Sequence, residues 1–415
     1  MHPRHIAPLL ADALSDTPVV LVNGARQSGK STLVQSLTSP AGAVHQYLTL
    51  DDAVVLSAAK SDPAGFINGL QGPVTLDVVQ RVPELILAIQ AAVDRQRHPG
   101  RFLLTGSADV LLLPGIADSL AGRMEVLSLW PLSSAELTDS PDLNRADALF
   151  MGDWSALAVP PCERGELIIR LLAGGFPDPA ARTSGRRREA WFDSYVQAVL
   201  MRDVRELANI EQLTEVPNLL HLLATRSGTL LNLAELSRSA RLPQSTLKRY
   251  FALLEMLFLV LRLPSWERNP GKRLVKAPKV FLPDTGLLNH LMAATPASLA
   301  AKPGLPGGMV ETFVLAELLK HLAFSRQRLT LWHYRTQTNI EVDFILENRL
   351  GQIAGIEVKA SATVDGKDFK GLRHLQETEA AIFQRGIVLY AGREVVPFGE
   401  KLWAVPLSVW WARER

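Results

Sequence analysis

The sequence predicts an α/β protein of three parts: a P-loop, parallel-sheet domain over residues 1–200, a winged helix-turn-helix domain over 201–293 and a further α/β domain over 294–415. Three observations predict this. A glycine-rich loop, G-x-x-x-x-G-K-[ST], occupies residues 24–31. Up to about residue 131, short apolar runs alternate with helix-like segments, the mark of a parallel sheet with crossover helices. From Glu215 the rhythm changes to three helical segments and two strand-like runs. A chain of 415 residues exceeds one ordinary core, which agrees with several domains.

The loop reads Gly24-Ala25-Arg26-Gln27-Ser28-Gly29-Lys30-Ser31-Thr32 and lies between an apolar strand, PVVLVN, and the first turns of a helix. In that setting the glycines let the backbone curl into a nest of N–H donors, and the helix N-terminus adds positive potential, so phosphates are held. Lys30 is placed to reach the terminal phosphates of ATP and Ser31 to ligate Mg2+. Four more strand-like runs follow: YLTL at Tyr47, PVTLD at Pro73, RFLLTGS at Arg101 and RMEVLSL at Arg123. Asp77 ends the PVTLD run, where an acidic residue joins the magnesium shell. The next position, normally a Glu that prepares the attacking water, is Val78. An apolar side chain cannot take the proton, so nucleotide binding with weak or impaired hydrolysis is expected. Gln80, two residues on, carries an amide and not a base. Thr105 and Ser107, at the end of the fourth strand, are candidates to sense the terminal phosphate and Arg123 to stabilise transition-state charge, its own site or a neighbouring subunit's being open. The plainer alternatives are a strand-end hydroxyl capping a turn and a solvated arginine.

Residues 136–165 lose the strand–helix rhythm and read as a surface excursion. Beyond Glu215, Asn232 can cap a helix, the turn Ala240-Arg241-Leu242-Pro243 leads to another, and Leu247, Phe251, Leu254 and Phe258 share its buried face. The runs around ERNPGKR resemble a wing. Ser245, Lys248, Arg249, Arg268, Lys272, Arg273, Lys276 and Lys279 make the one dense basic cluster that can be assigned to a single module, which suits phosphate contacts to DNA. The alternative is a module packed against its neighbours with merely solvated charges. Residues 294–308, rich in Pro, Gly and Ala, read as a linker.

Composition narrows the partners. With 47% hydrophobic and 21% charged residues the chain is globular, and a net charge of +2 leaves any nucleic-acid surface as a local patch. One cysteine, Cys162, rules out an internal disulfide and a cysteine zinc site, and suits a reducing compartment. The most apolar stretch, 253–263, is broken by Glu255 and Arg262 and is short of the roughly 18 residues that span a bilayer. A cytoplasmic protein without membrane contact is expected.

The motifs GARQSGKST, LDVVQRVPEL, RFLLTGS, SLAGR, GGFPDP, the pair Arg202-Asp203, PKVFLPDTGLL, NIEVDFI and GIEVKAS resemble, nearly end to end, bacterial and archaeal AAA+ ATPases with a C-terminal domain of unknown function. The second motif there usually reads Asp-Glu-x-Gln, from which Val78 departs. The resemblance also implies a restriction-endonuclease-like fold for the last domain. Its residues read in the same direction. In the strand 340–347, Ile340, Val342, Phe344 and Leu346 would share one face and Glu341 and Asp343 the other. Folding the chain about NRLGQ pairs residues whose numbers sum to about 699 or 700, which sets Asp343 beside Glu357 and Glu341 near Lys359. Adjacent carboxylates invite a bridging Mg2+, with Glu311 as a third ligand and Lys359 to activate water or stabilise the phosphorane. The set Glu311, Asp343, Glu357, Lys359 matches the nuclease motif of that fold. A solvated hairpin face with a Glu341–Lys359 pair, or a domain that only binds nucleic acid, are the other readings.

Two functions follow. One is an ATP-binding protein whose nucleotide state controls a DNA-directed C-terminal domain with nuclease chemistry. The other is a nucleotide-binding regulatory or scaffolding protein, without nuclease activity, acting through a protein partner or a homo-oligomer.

Overall fold

The computed structural model describes residues 2–37, 45–108, 122–140, 143–151, 159–204, 215–273 and 276–412. Ser119 to Ala121 of SLAGR, and the side chains of Arg202, Asp203 and Lys272, lie outside the described residues. The chain forms two compact units: Arg4–Pro131 with Met256–Phe258, and Leu132–Glu255 with Leu259–Arg415 and the first three residues. The break therefore falls at residues 131–132, and not near residue 200.

The first unit holds five parallel strands, β1 (Val19–Asn23), β2 (Gln46–Thr49), β3 (Val74–Asp77), β4 (Phe102–Gly106) and β5 (Met124–Ser128). Their order is β2-β3-β4-β1-β5. Each corresponds to one of the apolar runs. β1 and β4 are buried along their whole length, as central parallel strands covered on both faces must be. Helix Leu85–Arg95 lays Leu85, Ile86, Ile89 and Val93 into this core, the spacing of one helical face. Each such side chain contributes about 1.5–3 kcal/mol by leaving water. Helix Ala53–Ser61 starts at Asp52, whose carboxylate accepts from Val54 N and Val55 N at 2.8 and 3.0 Å.

In the second unit, helices Arg164–Ala173 and Gly185–Ala198 flank the GGFPDP turn. Phe176, Trp191, Phe192 and Tyr195 pack there as one aromatic group, with Trp191 and Tyr195 stacked at 5.0 Å. Asp284 of the PDTGLL motif accepts from Gly175 N at 2.7 Å and Leu287 N at 2.9 Å, tying two distant motifs together. Gly286 lies against Ala173 O, where an added Cβ would come within 2.7 Å. Next come helix Val216–Ala224, β6 (Thr229–Leu230), helix Leu233–Ala240 capped by Asn232, helix Gln244–Met256, β7 (Leu261–Leu263) and β8 (Lys279–Phe281). The three strands form an antiparallel sheet ordered β6-β8-β7.

The remaining strands are β9 (Thr330–Arg335), β10 (Glu341–Glu347), β11 (Ile353–Lys359), β12 (Phe383–Tyr390), β13 (Val396–Pro397) and β14 (Leu402–Pro406), in a mixed sheet ordered β13-β14-β12-β11-β10-β9. Helix Gly307–Ala323 packs with one core cluster and helix Lys370–Thr378 with another. β10 departs from the expected alternation. A bulge between Val342 and Ile345 puts those two residues in the cluster with Leu372 and Leu375, and Phe344 and Leu346 in the cluster with Val310 and Val314. The expected linker is also structured: it contains helix Pro296–Ala300, and Leu299 and Leu305 are buried in the core. Leu167, Ile168 and Leu171 share that core, which is why residues beyond 132 join the C-terminal sheet rather than the first unit.

Candidate functional site

The loop after β1 has the backbone a phosphate nest requires. Gly24 and Gly29 have φ of 146° and 97°, and an added Cβ at Gly24 would lie 2.2 Å from Leu129 O, so both positions demand glycine. Gln27, exposed at the loop's turn, has φ of 61°. Lys30 opens helix Lys30–Ser36 and is buried. Its ammonium donates to Gly24 O at 2.9 Å and Ala25 O at 2.8 Å, carbonyls that stand in for phosphate oxygens. The Ser28 hydroxyl is buried without a hydrogen-bond partner. Arg4, which sequence reasoning missed, donates to Ser28 O at 2.8 Å and Trp130 O at 2.6 Å and so braces the loop from outside. Arg26 and Ser31 are half-buried and Thr32 exposed.

Asp77, buried at the end of β3, gathers three hydroxyls. Ser31 Oγ donates to its Oδ2 at 2.8 Å, Tyr47 OH donates to the same oxygen at 2.6 Å, and Thr105 donates to Oδ1. Burial, and then the Asp77 carboxylate, push the Tyr47 phenol up to about 12, so it stays a donor at neutral pH. Tyr47 is the second residue the sequence reading missed, because a tyrosine in a strand reads first as packing. The loop, the buried Lys30 and the Ser31–Asp77 pair fit a magnesium-bound nucleotide. Ser107 sits just past the Asn23–Gly106 register pair, at the level of Gly24. Its hydroxyl accepts from Gln80 Nε2 at 2.6 Å. Arg123 is not brought to this site. It precedes β5 at the N-terminal end of the sheet, where it makes a two-pronged pair with Asp94 at 2.6 and 3.1 Å. Parallel strands put their C-terminal ends, and hence the loop, on the opposite edge.

The C-terminal carboxylates are assembled as the hairpin register predicts: Phe344 faces Ile356 and Glu347 faces Ile353, both summing to 700. Their cation, however, is a side chain. Lys279, buried on β8, donates to Asp343 Oδ1 at 3.0 Å and Glu311 Oε2 at 3.4 Å. Asp343 Oδ2 accepts from Val358 N at 3.0 Å. Burial disfavours the Lys279 charge, but Asp343 and Glu311 outweigh it and hold the ammonium above its usual range. Glu357 pairs with Lys359 at 2.9 Å, while its Oε2 is buried without a hydrogen-bond partner. Burial, then Asp343, push Glu357 up to about 8 and Glu311 up to about 7. Among the described residues, no three His, Cys, Asp or Glu side chains are arranged to hold a metal ion. The set does not fit magnesium: an ammonium already neutralises it. The expected Glu341–Lys359 pair is absent too. Glu341 pairs with Arg335, and Lys359 reaches Asp368 at 3.9 Å as its second partner.

Three charges of the expected wing make ion pairs inside their own unit. Arg273 donates to both Glu347 oxygens at 2.7 and 2.9 Å and to Glu267 O at 2.6 Å, and it lies over the Trp332 ring. Lys276 pairs with Glu267 and donates to Arg335 O at 2.8 Å, and Arg268 pairs with Glu379 at 3.3 Å. Arg273 and Lys276 are therefore engaged within the unit, while Arg268 is largely exposed and Ser245, Lys248 and Arg249 of the same cluster are exposed. No helix among the described residues is long and apolar enough to cross a membrane.

Comparison with known proteins agrees with the first unit. Residues 16–138 match the model of an AAA domain, and residues 164–298 and 306–410 match two domains of unknown function (DUF8612 and DUF4143). An uncharacterized protein of Mycobacterium tuberculosis is 32% identical over 407 residues, covering 97% of this chain and 83% of the relative, and its Mycobacterium bovis counterpart gives the same values. An uncharacterized protein of Haemophilus influenzae is 24% identical over 223 residues, 52% of this chain and 50% of its own length. Among solved structures, the Thermotoga maritima RuvB Holliday junction branch migration motor is 18% identical, with 63% of this chain and 90% of that one covered at a TM-score of 0.31. Cdc6p from Pyrobaculum aerophilum is 16% identical, with 70% and 90% covered at a TM-score of 0.26. With its phosphate loop, parallel sheet and AAA domain, the chain carries an AAA+-like ATPase domain and belongs to the same family as the mycobacterial proteins.

Proposed function

We propose that the protein is a nucleotide-dependent regulator: it binds magnesium-ATP at residues 24–32, hydrolyses it slowly, and signals its state to a protein partner without cutting nucleic acid. The observation that carries the first half is Asp77 collecting Ser31, Tyr47 and Thr105 behind the loop. The bound magnesium nucleotide supplies the phosphates and the electrophilic centre. The chain supplies the rest. Its loop N–H groups and Lys30 neutralise and orient, Ser31 and Asp77 furnish oxygen for the metal, and the strand ends exclude bulk water from one side. Slow turnover is argued from Val78, which offers no carboxylate to take a proton. Lys279 favours the partner reading over the nuclease one, since a nuclease metal would need the space and the negative charge that this ammonium occupies. Within this reading the segment 216–281 is a winged helix and the mixed sheet a restriction-endonuclease-like fold turned to a structural use. The test is to incubate the protein with plasmid and short duplexes, with and without ATP and magnesium, while following phosphate release and strand breaks. Slow phosphate release without breaks is expected; metal-dependent breaks lost in Asp343→Ala would return the nuclease reading.

A further inference from the structure

The chain after Asp77 is held in an unusual way. Val78 has φ of 66° and ψ of 45°, left-handed backbone that a β-branched residue rarely adopts. Such strain persists only where the surroundings over-determine it, and it concentrates at functional sites. Here Val78 N donates to Thr105 Oγ1 at 3.1 Å, and the same hydroxyl donates to Asp77, so the strained turn is fastened to the acidic end of β3. The turn runs into a 3-10 segment, Val79–Arg81. Val79 is fully buried, and Arg81 donates to Leu50 O and Asp51 Oδ1, both at 2.8 Å. Gln80 is thus set between two anchored neighbours.

Its amide is gripped at both ends. Gln80 Nε2 donates to Ser107 Oγ at 2.6 Å, and Gln80 Oε1 accepts from Ser107 N at a longer 3.4 Å. Gln80 is half-buried, and both residues follow the C-terminal ends of β3 and β4, the edge that carries the phosphate loop. A primary amide has two N–H donors and a carbonyl with two lone pairs, so each end keeps capacity after bonding Ser107. That is what is required to orient a water molecule. A glutamine performs this task in P-loop GTPases without acting as a base.

We propose that Gln80 orients the attacking water, and that Ser107 and the strained Val78 turn are positioning residues that aim its amide. The inference rests on the nucleotide-site reading. It also assigns Val78 a role: the residue redirects the backbone, while its apolar side chain supplies no base.

The test compares wild type, Gln80→Ala, Ser107→Ala and Lys30→Ala, each first checked for an unchanged melting temperature. Affinity is measured by calorimetry for ADP alone and for ADP with aluminium fluoride, which mimics the transferring phosphoryl group, and single-turnover hydrolysis is followed alongside. Gln80→Ala should leave ADP affinity within about twofold but lose about tenfold or more of the tightening that aluminium fluoride brings, with hydrolysis slowed by at least as much. Ser107→Ala should fall between. Equal tightening in wild type and Gln80→Ala, or none in wild type, overturns the inference while ADP binding that is lost in Lys30→Ala leaves the nucleotide reading in place. A wild type that binds neither ADP nor ATP overturns both.

Discussion

Replacing Lys279 with methionine keeps the length of the stem and removes only the charge, which isolates what the ammonium does for the C-terminal carboxylates. The side chains of Lys279, Asp343 and Glu311 are 7%, 11% and 21% exposed, so water screens them little. Removing one member of a buried pair costs about 3–5 kcal/mol, because the survivor is left uncompensated. We therefore expect a loss of about 3–5 kcal/mol at pH 7, or a melting temperature about 6–10 °C lower at about 2 °C per kcal/mol for a unit of this size. Glu311 and Glu357, held up to about 7 and about 8, both carry their protons at pH 5.5, so less negative charge is left uncompensated there and the drop should be smaller. Adding Asp343→Asn to Lys279→Met should recover most of the loss. Melting curves followed by circular dichroism at pH 7.5 and 5.5 read all three quantities. A shift below about 2 °C at both values, or one independent of pH, would falsify the idea that Lys279 is the cation of this cluster.

Val78→Glu, which restores a carboxylate after Asp77, should raise single-turnover hydrolysis by about tenfold or more with little change in ATP affinity; an unchanged rate would mean that the proton needs no acceptor at this position. Glu357, raised to about 8, binds a proton in the folded chain that the unfolded chain releases near 4.5, so stability should be full below about pH 5 and decline as pH rises through 8. Glu357→Gln should flatten that decline in urea titrations, and an equal slope in both proteins would remove Glu357 from the account. Arg273→Ala should lower the melting temperature by several degrees, since Glu347 loses both donors, while the salt dependence of binding to short DNA duplexes, measured in parallel, should be the same as in wild type. A flatter salt slope would restore the wing as a DNA surface.

Much of the first unit is legible in the sequence because its strands are buried on both faces and its loop obeys strict backbone demands. PVVLVN, PVTLD and RFLLTGS become β1, β3 and β4, and Gly24 and Gly29 adopt the conformations that the motif requires. The hairpin β10–β11 is legible for a similar reason, since turn length fixes its register at the predicted sum. What local pattern cannot carry is partner choice over long separations. Lys279 reads as a wing lysine until folding brings it to Asp343, 64 residues away, and Arg273 reads as a phosphate contact until it meets Glu347, 74 residues away. The β10 bulge defeats strict alternation, because one inserted residue exchanges the faces beyond it. Arg123 illustrates a further limit: motif position suggested the nucleotide edge, but a residue that precedes its strand sits at the other end of a parallel sheet. The linker composition misled for the opposite reason, as Leu299 and Leu305 supply enough apolar area to pin a Pro- and Gly-rich segment to the core.

The central claim, that residues 24–32 with Asp77 form a working nucleotide site, is tested most directly by calorimetric titration of ATP into wild type and Lys30→Ala, with and without magnesium. Wild type should bind ATP with an affinity that magnesium strengthens, and Lys30→Ala, correctly folded by its melting curve, should bind at least about tenfold more weakly because the terminal phosphates lose their buried ammonium. Equal affinity in the two proteins, or no binding by wild type at millimolar ATP, would contradict it.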